Sequence, residues 1–131
     1  MPIHNGVFDF PILLDTRGEQ TFAENELEFY IAHATNLGPG VLFYGFGATE
    51  VPFGAGGGNL CISGTIYRAA FGQQVNNPGV HSEVTLDLHA PPVSSGPGAF
   101  GPGTTVYMQY WARIVGGGSH LSNSLEMVFA P

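Results

Sequence analysis

Four ionisable residues near the middle of the chain have a spacing that suits metal binding. His81 and Glu83 are two positions apart, and so are Asp87 and His89. Alternate residues of a β-strand project from one face about 7 Å apart, so either pair could supply two ligands to one ion. A solvated face of an antiparallel sheet gives the same pattern. The histidines elsewhere in the chain that could supply a third ligand are His4, His33 and His120.

A second set of alternating residues suits the binding of sugars. It consists of Tyr107, Gln109, Trp111 and Arg113. Aromatic rings stack on sugar rings, while amide and guanidinium groups hydrogen-bond to hydroxyls. The alternative is that Trp111 packs at a sheet interface and Arg113 pairs with a carboxylate. A carbohydrate-binding module is therefore one function that the sequence predicts.

Nucleophilic catalysis has no support in the sequence. A Gly-x-Ser-x-Gly elbow is absent, and neither Ser63 nor Cys61 has a neighbouring histidine to activate it. The glycine-rich segment 54–58 lacks the lysine and helix of a phosphate-binding loop. We therefore predict a protein without enzymatic activity and without a cofactor. A metal-dependent hydrolase built on the four ionisable residues remains a second alternative.

Period-two alternation positions these residues and predicts an all-β protein. In the segment 81–89 the apolar residues are Val84, Leu86 and Leu88, so the odd positions are expected to face outward. In the segment 104–115 the even positions are expected to face the core. Further strands are predicted at 6–14, 27–34, 41–44 and 125–129, and a single strand with a bulge at Gly64 is predicted over 60–67.

Turn residues separate the predicted strands. They cluster at 36–40, 54–59 and 73–79, and the segment 91–103 contains four prolines and four glycines. The segment 15–26 is compatible with a short helical turn or a loop. Seven or eight strands separated in this way predict one domain, residues 1–131, folded as an antiparallel β-sandwich. A jelly roll is the alternative.

Composition limits the partners. The chain has 131 residues, and its 3 cations are all arginines against 10 carboxylates, which gives a net charge of −7. This charge repels phosphate backbones and anionic membrane surfaces, so we expect no nucleic acid partner and no membrane insertion. Cys61 is the only cysteine, so an internal disulfide is excluded. The position of Arg17 and Asp9 argues against an uncleaved secretory signal.

Several phrases resemble a β-sandwich module found near the C-termini of secreted multidomain bacterial proteins. They are Val41 to Gly45, Gly58 to Gly64 with Tyr67-Arg68, Tyr107 to Arg113, and Leu121 to Leu125. The resemblance covers residues 36–131, and Gln-x-Trp-x-Arg at 109–113 is its most specific part. It implies a sandwich fold and an extracellular setting and transfers no activity. The module tends to end in Cys-Pro where this chain has Ala130-Pro131, so Cys61 lacks the partner that the resemblance implies. The module also tends to carry an Asp at the position of Ile114. Without that carboxylate, the resemblance gives little support for a cation site in this chain.

The scarcity of charge suggests how the protein works. Only 10% of the residues are charged, no lysine is available to guard sheet edges, and the mean hydropathy is +0.13. We therefore predict an extracellular structural or interaction module that self-associates as a homo-oligomer or a larger surface assembly. Addition of the strand Gly6–Leu14 to a neighbouring sheet would be one mechanism.

Overall fold

The structure is a computed structural model that describes residues 12–25, 27–32, 37–52, 58–75, 81–114 and 119–131. Within these ranges the secondary structure is all β, and the strand pairs are antiparallel. No helix of the described residues is long and apolar enough to cross a membrane. His4, His33, residues 54–57 and most of the predicted strand Gly6–Leu14 lie outside the described residues.

The described residues form eleven strands, more than the seven or eight predicted. They are β1 (Leu13–Arg17), β2 (Glu28–Ala32), β3 (Leu37–Gly45), β4 (Gly47–Pro52), β5 (Asn59–Ser63), β6 (Tyr67–Phe71), β7 (Gln73–Val75), β8 (His81–Thr85), β9 (Thr105–Ile114), β10 (Ser119–Leu121) and β11 (Leu125–Val128).

These strands form two sheets and a hairpin. The four-stranded sheet has the order β1-β2-β8-β7. The five-stranded sheet has the order β10-β9-β3-β6, and β11 pairs with another part of the long strand β9. The hairpin consists of β4 and β5. The core cluster includes Phe29 and Val84 from the first sheet and Leu42 and Met108 from the second, so the structure is consistent with the predicted sandwich.

The predicted alternation accounts for the core. Val84, Leu86 and Leu88 are buried. Four even positions of β9 are buried as well, and they are Val106, Met108, Tyr110 and Ala112. The segment 91–103 contains no strand, as predicted from its prolines and glycines. The alternation of apolar and polar residues therefore identified the residues that face the opposite sheet, because successive side chains of a strand alternate between its faces.

Some predicted boundaries are wrong. The single strand expected over 60–67 is two strands, β5 and β6, which lie in different sheets. Gly64 between them has a φ of +79°, a left-handed conformation that turns the chain instead of forming a bulge. The strand expected over 81–89 ends at Thr85, and turns follow.

Two segments predicted as turns contain strands. Within 36–40, β3 begins at Leu37 and continues through a register shift between Leu37 and Gly40. Within 73–79, residues 73–75 form β7, which follows β6 directly after Gly72 and belongs to the other sheet. The local composition favours turns in both segments. It does not reveal the strands, because each strand is fixed by hydrogen bonds to a segment that is distant in the sequence.

Glycines make room for a buried tyrosine where the chain passes between the sheets. Gly72 donates its backbone N–H to Gly40 O at 3.0 Å. A β-carbon at either glycine would overlap the ring of Tyr110. Both positions therefore require glycine because the phenol occupies the space of a side chain.

Candidate functional site

The β4–β5 hairpin covers part of the outer face of the five-stranded sheet. Ile62 of β5 packs with Phe43 and Leu121 in a small second core, and Leu60, Tyr107 and Trp111 lie against it. The sheet is therefore covered on both faces in this region. One face packs on the sandwich core, and the other packs on the hairpin.

Gln109 joins the hairpin to the sheet and is fully buried. Its Oε1 accepts a hydrogen bond from Cys61 N at 3.0 Å, and its Nε2 donates to Asn59 O at 2.7 Å and to Ser122 O at 2.6 Å. Cys61 lies opposite the register shift of the hairpin, between the pairs Ala48–Ile62 and Val51–Leu60. The amide side chain thus supplies partners for backbone groups of β5 that lie over β9.

The hairpin divides the predicted sugar-binding row. Gln109 is buried with its amide hydrogen-bonded to backbone groups, and β5 passes over it between Tyr107 and Trp111. Trp111 and Arg113 remain together, with the guanidinium carbon 5.9 Å from the centroid of the Trp111 ring. The structure therefore does not bring the four residues into one continuous accessible surface.

A groove lies beside the hairpin on this outer face, and we call it the Trp111 groove. Its volume is about 400 Å³, and the lining is mainly apolar. The lining residues are Gly40, Val41, Phe43, Leu60, Ile66, Arg68, Phe71, Trp111 and Leu121. Such a volume falls within the range of ligand-binding clefts, about 300–1,000 Å³.

Strand pairing explains the floor of the groove. Val41 of β3 pairs with Phe71 of β6 on one side and with Trp111 of β9 on the other. Trp111 pairs in turn with Leu121 of β10. Four apolar side chains thus form one row across four strands, and Leu60 and Ile66 stand beside it. Phe71 is 72% exposed, more than any other large apolar residue described.

Two arginines flank this row. Arg68 of β6 lines the groove and pairs with Phe43, which is two positions from Val41 on β3. Arg113 lies two positions beyond Trp111 in the opposite direction along the sheet. Both arginines are exposed, and within the described residues neither forms an ion pair with a carboxylate.

Sequence reasoning missed most of this groove. It identified Trp111 and Arg113 from their alternation on β9. Val41, Phe71 and Leu60 come from separate segments, and their proximity depends on strand order and register. Nothing in the sequence indicates that Phe71 is exposed, since an apolar residue of a strand is expected to be buried.

His81 and Glu83 lie on the outer face of the four-stranded sheet and contact each other. His81 Nε2 is 2.9 Å from Glu83 Oε2. The imidazole stacks on Tyr30 with ring centroids 4.5 Å apart, and the guanidinium of Arg17 lies 4.2 Å from the centroid of the same phenol ring. His81 is only 4% exposed, so the expectation that it lies on a solvated face is wrong.

Asp87 and His89 lie beyond the end of β8 and make separate local contacts. Asp87 Oδ1 accepts hydrogen bonds from Asn25 Nδ2 and from His89 N, both at 2.9 Å. These bonds hold the pKa of the Asp87 carboxyl below its usual value, and the bond from Asn25 has the largest effect. His89 Nε2 lies 3.0 Å from Phe22 O.

The predicted metal ligands that the structure describes have no common centre. No group of three or more metal-ligating side chains occurs among the described residues. His120, one of the expected third ligands, lies on β10 in the other sheet. The pairs at 81–83 and 87–89 are each engaged in contacts within the fold.

Tyr44 is a buried polar residue outside the groove. Its hydroxyl donates a hydrogen bond to Gly98 O at 2.6 Å, and burial raises the pKa of the phenol to about 12. Its ring lies in an aromatic cluster with Phe46, Tyr67 and Phe100. This arrangement connects β3 to the 91–103 segment.

The Trp111 groove is mainly apolar, and the described histidine and carboxylate candidates lie apart from it, so its geometry suits the binding of an apolar group. Comparison with protein-family models, curated proteins and solved structures gives no match to this chain.

Proposed function

We propose that this protein is a non-enzymatic interaction module that holds an apolar group of its ligand in the Trp111 groove. The observation that carries the proposal is the exposure of Phe71, 72%, at the edge of an apolar groove of about 400 Å³. An apolar patch beside a formed cleft is typical of binding sites on soluble proteins.

The groove supports the proposal because a ligand there would contact a preformed surface. Its floor belongs to four paired strands, and its wall at Leu60 is held in place by the hydrogen bonds of Gln109 to β5. A rigid site loses little conformational entropy when it binds. Burial of Phe71 and Trp111 by a ligand would stabilise the complex through the hydrophobic effect.

Side chains occupy part of the free edge of β1, so this edge is a poor acceptor for an added strand. Leu14 N donates to Asn123 Oδ1 at 2.7 Å, and Asn123 Nδ2 donates to Leu14 O at 3.1 Å. Thr16 N donates to Asp15 Oδ1 at 2.8 Å. These side chains occupy backbone groups that an added strand would need. The extracellular setting rests on the sequence resemblance alone and is part of the proposal.

The proposal can be tested with an uncharged apolar probe. Trp111 is the only tryptophan and lines the groove, so its fluorescence reports on binding there. We expect titration with N-phenyl-1-naphthylamine to quench Trp111 by energy transfer with saturation. Phe71→Asp should weaken binding at least tenfold, because it places a charge at the edge of the groove.

Val128→Asp is the matched control. Val128 is 48% exposed on β11 of the same sheet and lies outside the groove, so the substitution makes the same change of charge elsewhere. We expect its affinity for the probe to equal that of the wild type. Equal weakening by both variants, or no saturable binding to the wild type, would refute the proposal.

A carbohydrate ligand is the second candidate, and the contact between Trp111 and Arg113 favours it. The Trp111 ring is partly exposed, and the guanidinium beside it could donate hydrogen bonds to sugar hydroxyls. A glycan array with the wild type and Trp111→Ala tests this candidate. Binding of a glycan by the wild type and not by the variant would support it, and no binding by either would exclude it for the glycans on the array.

A further inference from the structure

We infer that the ligand of the Trp111 groove is a small apolar acid, such as a free fatty acid, whose carboxylate is bound by Arg68. This inference rests on the proposed function and adds the chemical class of the ligand. It depends on the distribution of positive charge over the protein.

The cations are concentrated at the groove. The chain contains three arginines and no lysine, against ten acidic residues. Two of the three arginines lie at the groove, Arg68 in its lining and Arg113 against the Trp111 ring. The third, Arg17, lies over Tyr30 on the four-stranded sheet. An otherwise acidic surface repels anions, so the groove is the region where an anionic ligand would be favoured.

Arg68 is placed to contact the end of a ligand whose body lies along the apolar row. It lines the groove and lies about 7 Å from that row along the strand direction. Arg113 lies on the opposite side of the row and outside the groove lining, so one carboxylate would not contact both guanidinium groups. Because Arg68 forms no ion pair with a carboxylate within the described residues, its guanidinium group can donate to the ligand. Arginine binds carboxylates through paired N–H donors, which makes the contact specific as well as attractive.

The size of the apolar surface favours a small ligand over a second copy of the chain. Nine residues line the groove. A stable protein interface has about 20–30 residues on each side. The other large exposed apolar residues, which include Leu13, Val51 and Val128, do not line it. A groove of about 400 Å³ is instead of the size that holds a small organic molecule.

Calorimetric titration with two ligands of equal chain length tests the inference. Dodecanoate and uncharged 1-dodecanol, both below their aggregation concentrations, would be compared at pH 8 on the wild type. We expect dodecanoate to bind about tenfold more tightly, because charge-assisted hydrogen bonds form only with the acid. The variant R68Q should lose most of this preference, so that its ratio of the two affinities approaches one.

The third arginine supplies the control. R17Q makes the same charge change as R68Q at a site outside the groove. We expect R17Q to keep the wild-type preference. Equal loss in R17Q and R68Q would overturn the inference, since it would show a general effect of net charge.

The remaining outcomes separate this inference from the proposed function. Equal binding of dodecanoate and dodecanol to the wild type would overturn the inference and leave the groove as an apolar binding site. Binding of neither ligand, together with failure of the naphthylamine titration, would refute both. Sedimentation with phosphatidylglycerol vesicles distinguishes a membrane surface, and binding to vesicles without binding to monomeric dodecanoate would also overturn the inference.

Discussion

Replacement of Gln109 by Leu should loosen the hairpin that forms one wall of the groove. The substitution keeps a side chain of similar volume and removes both hydrogen-bonding groups. Cys61 N, Asn59 O and Ser122 O would each lose the partner that Gln109 provides at 2.6 to 3.0 Å. Trp111 and Phe71 are retained, so the change tests the support of the groove and not its lining.

The expected loss follows from these three bonds. A buried backbone group left without a partner costs about 1–3 kcal/mol. We use the lower value for each group, because a hairpin at the surface can shift and admit water, and we expect the free energy of unfolding to fall by about 3 kcal/mol. A domain of ordinary stability has about 5–15 kcal/mol, so the variant should still fold.

Two measurements check this prediction. Urea denaturation gives the change in unfolding free energy. The labelling rate of Cys61 by an aromatic disulfide reagent reports on the hairpin itself, because this only cysteine is 4% exposed on β5. We expect the variant to be labelled at least tenfold faster than the wild type.

Thr105→Leu is the control for placing leucine at a polar position of the same strand. Thr105 is exposed on β9, so we expect a change within about 0.5 kcal/mol and no change in Cys61 labelling. The reasoning would be refuted if Gln109→Leu lost less than about 1 kcal/mol and left Cys61 protected, since the hydrogen bonds would then contribute little to holding β5.

Other predictions concern residues away from the groove. Gly72→Ala should destabilise the fold by about 1–3 kcal/mol in urea denaturation, because the added β-carbon overlaps the Tyr110 ring, and Tyr110→Leu in the same chain should reduce the cost of the glycine substitution. Asp87 has a lowered pKa and stabilises the folded state above the ordinary carboxyl value of 3.8. Asp87→Asn should therefore be less stable than the wild type at pH 7, and the difference should shrink as the pH falls through the lowered pKa of the folded state; a difference that does not depend on pH would contradict this. The pKa of Tyr44 is raised from 10.0 to about 12, so its contribution is present below pH 10 and is lost as the pH rises through 12. Tyr44→Phe should make the unfolding free energy less dependent on pH above 10, and an unchanged alkaline slope would count against the burial of this phenol.

Alternation in the sequence was sufficient for the fold class and for most of the core. The face of β9 that contains Met108 and Tyr110 was assigned correctly, because side chains of a strand alternate whatever the neighbouring strands are. The opposite face was interpreted less well. Gln109 has the polarity of a solvent-facing residue, yet it is buried beneath β5.

The strand boundaries show the same limit. The sequence predicts an irregularity at Gly64, but a glycine by itself does not distinguish a bulge from a turn into another sheet. The difference depends on its backbone conformation, which has a φ of +79°. His81 was assigned to the outer face correctly and to a solvated position wrongly. Its burial depends on contacts such as that with the ring of Tyr30, which lies 51 residues earlier in the chain.

The sequence by itself determined an acidic, all-β chain in which Trp111 and Arg113 share a face of one strand. Only the tertiary structure decided that Phe71 and Val41 join Trp111 in one row and that Arg68 lies beside it. The physical reason is that alternation fixes the direction of a side chain relative to its own strand. Strand order and register fix its neighbours, and these depend on the packing of segments that are far apart in the chain.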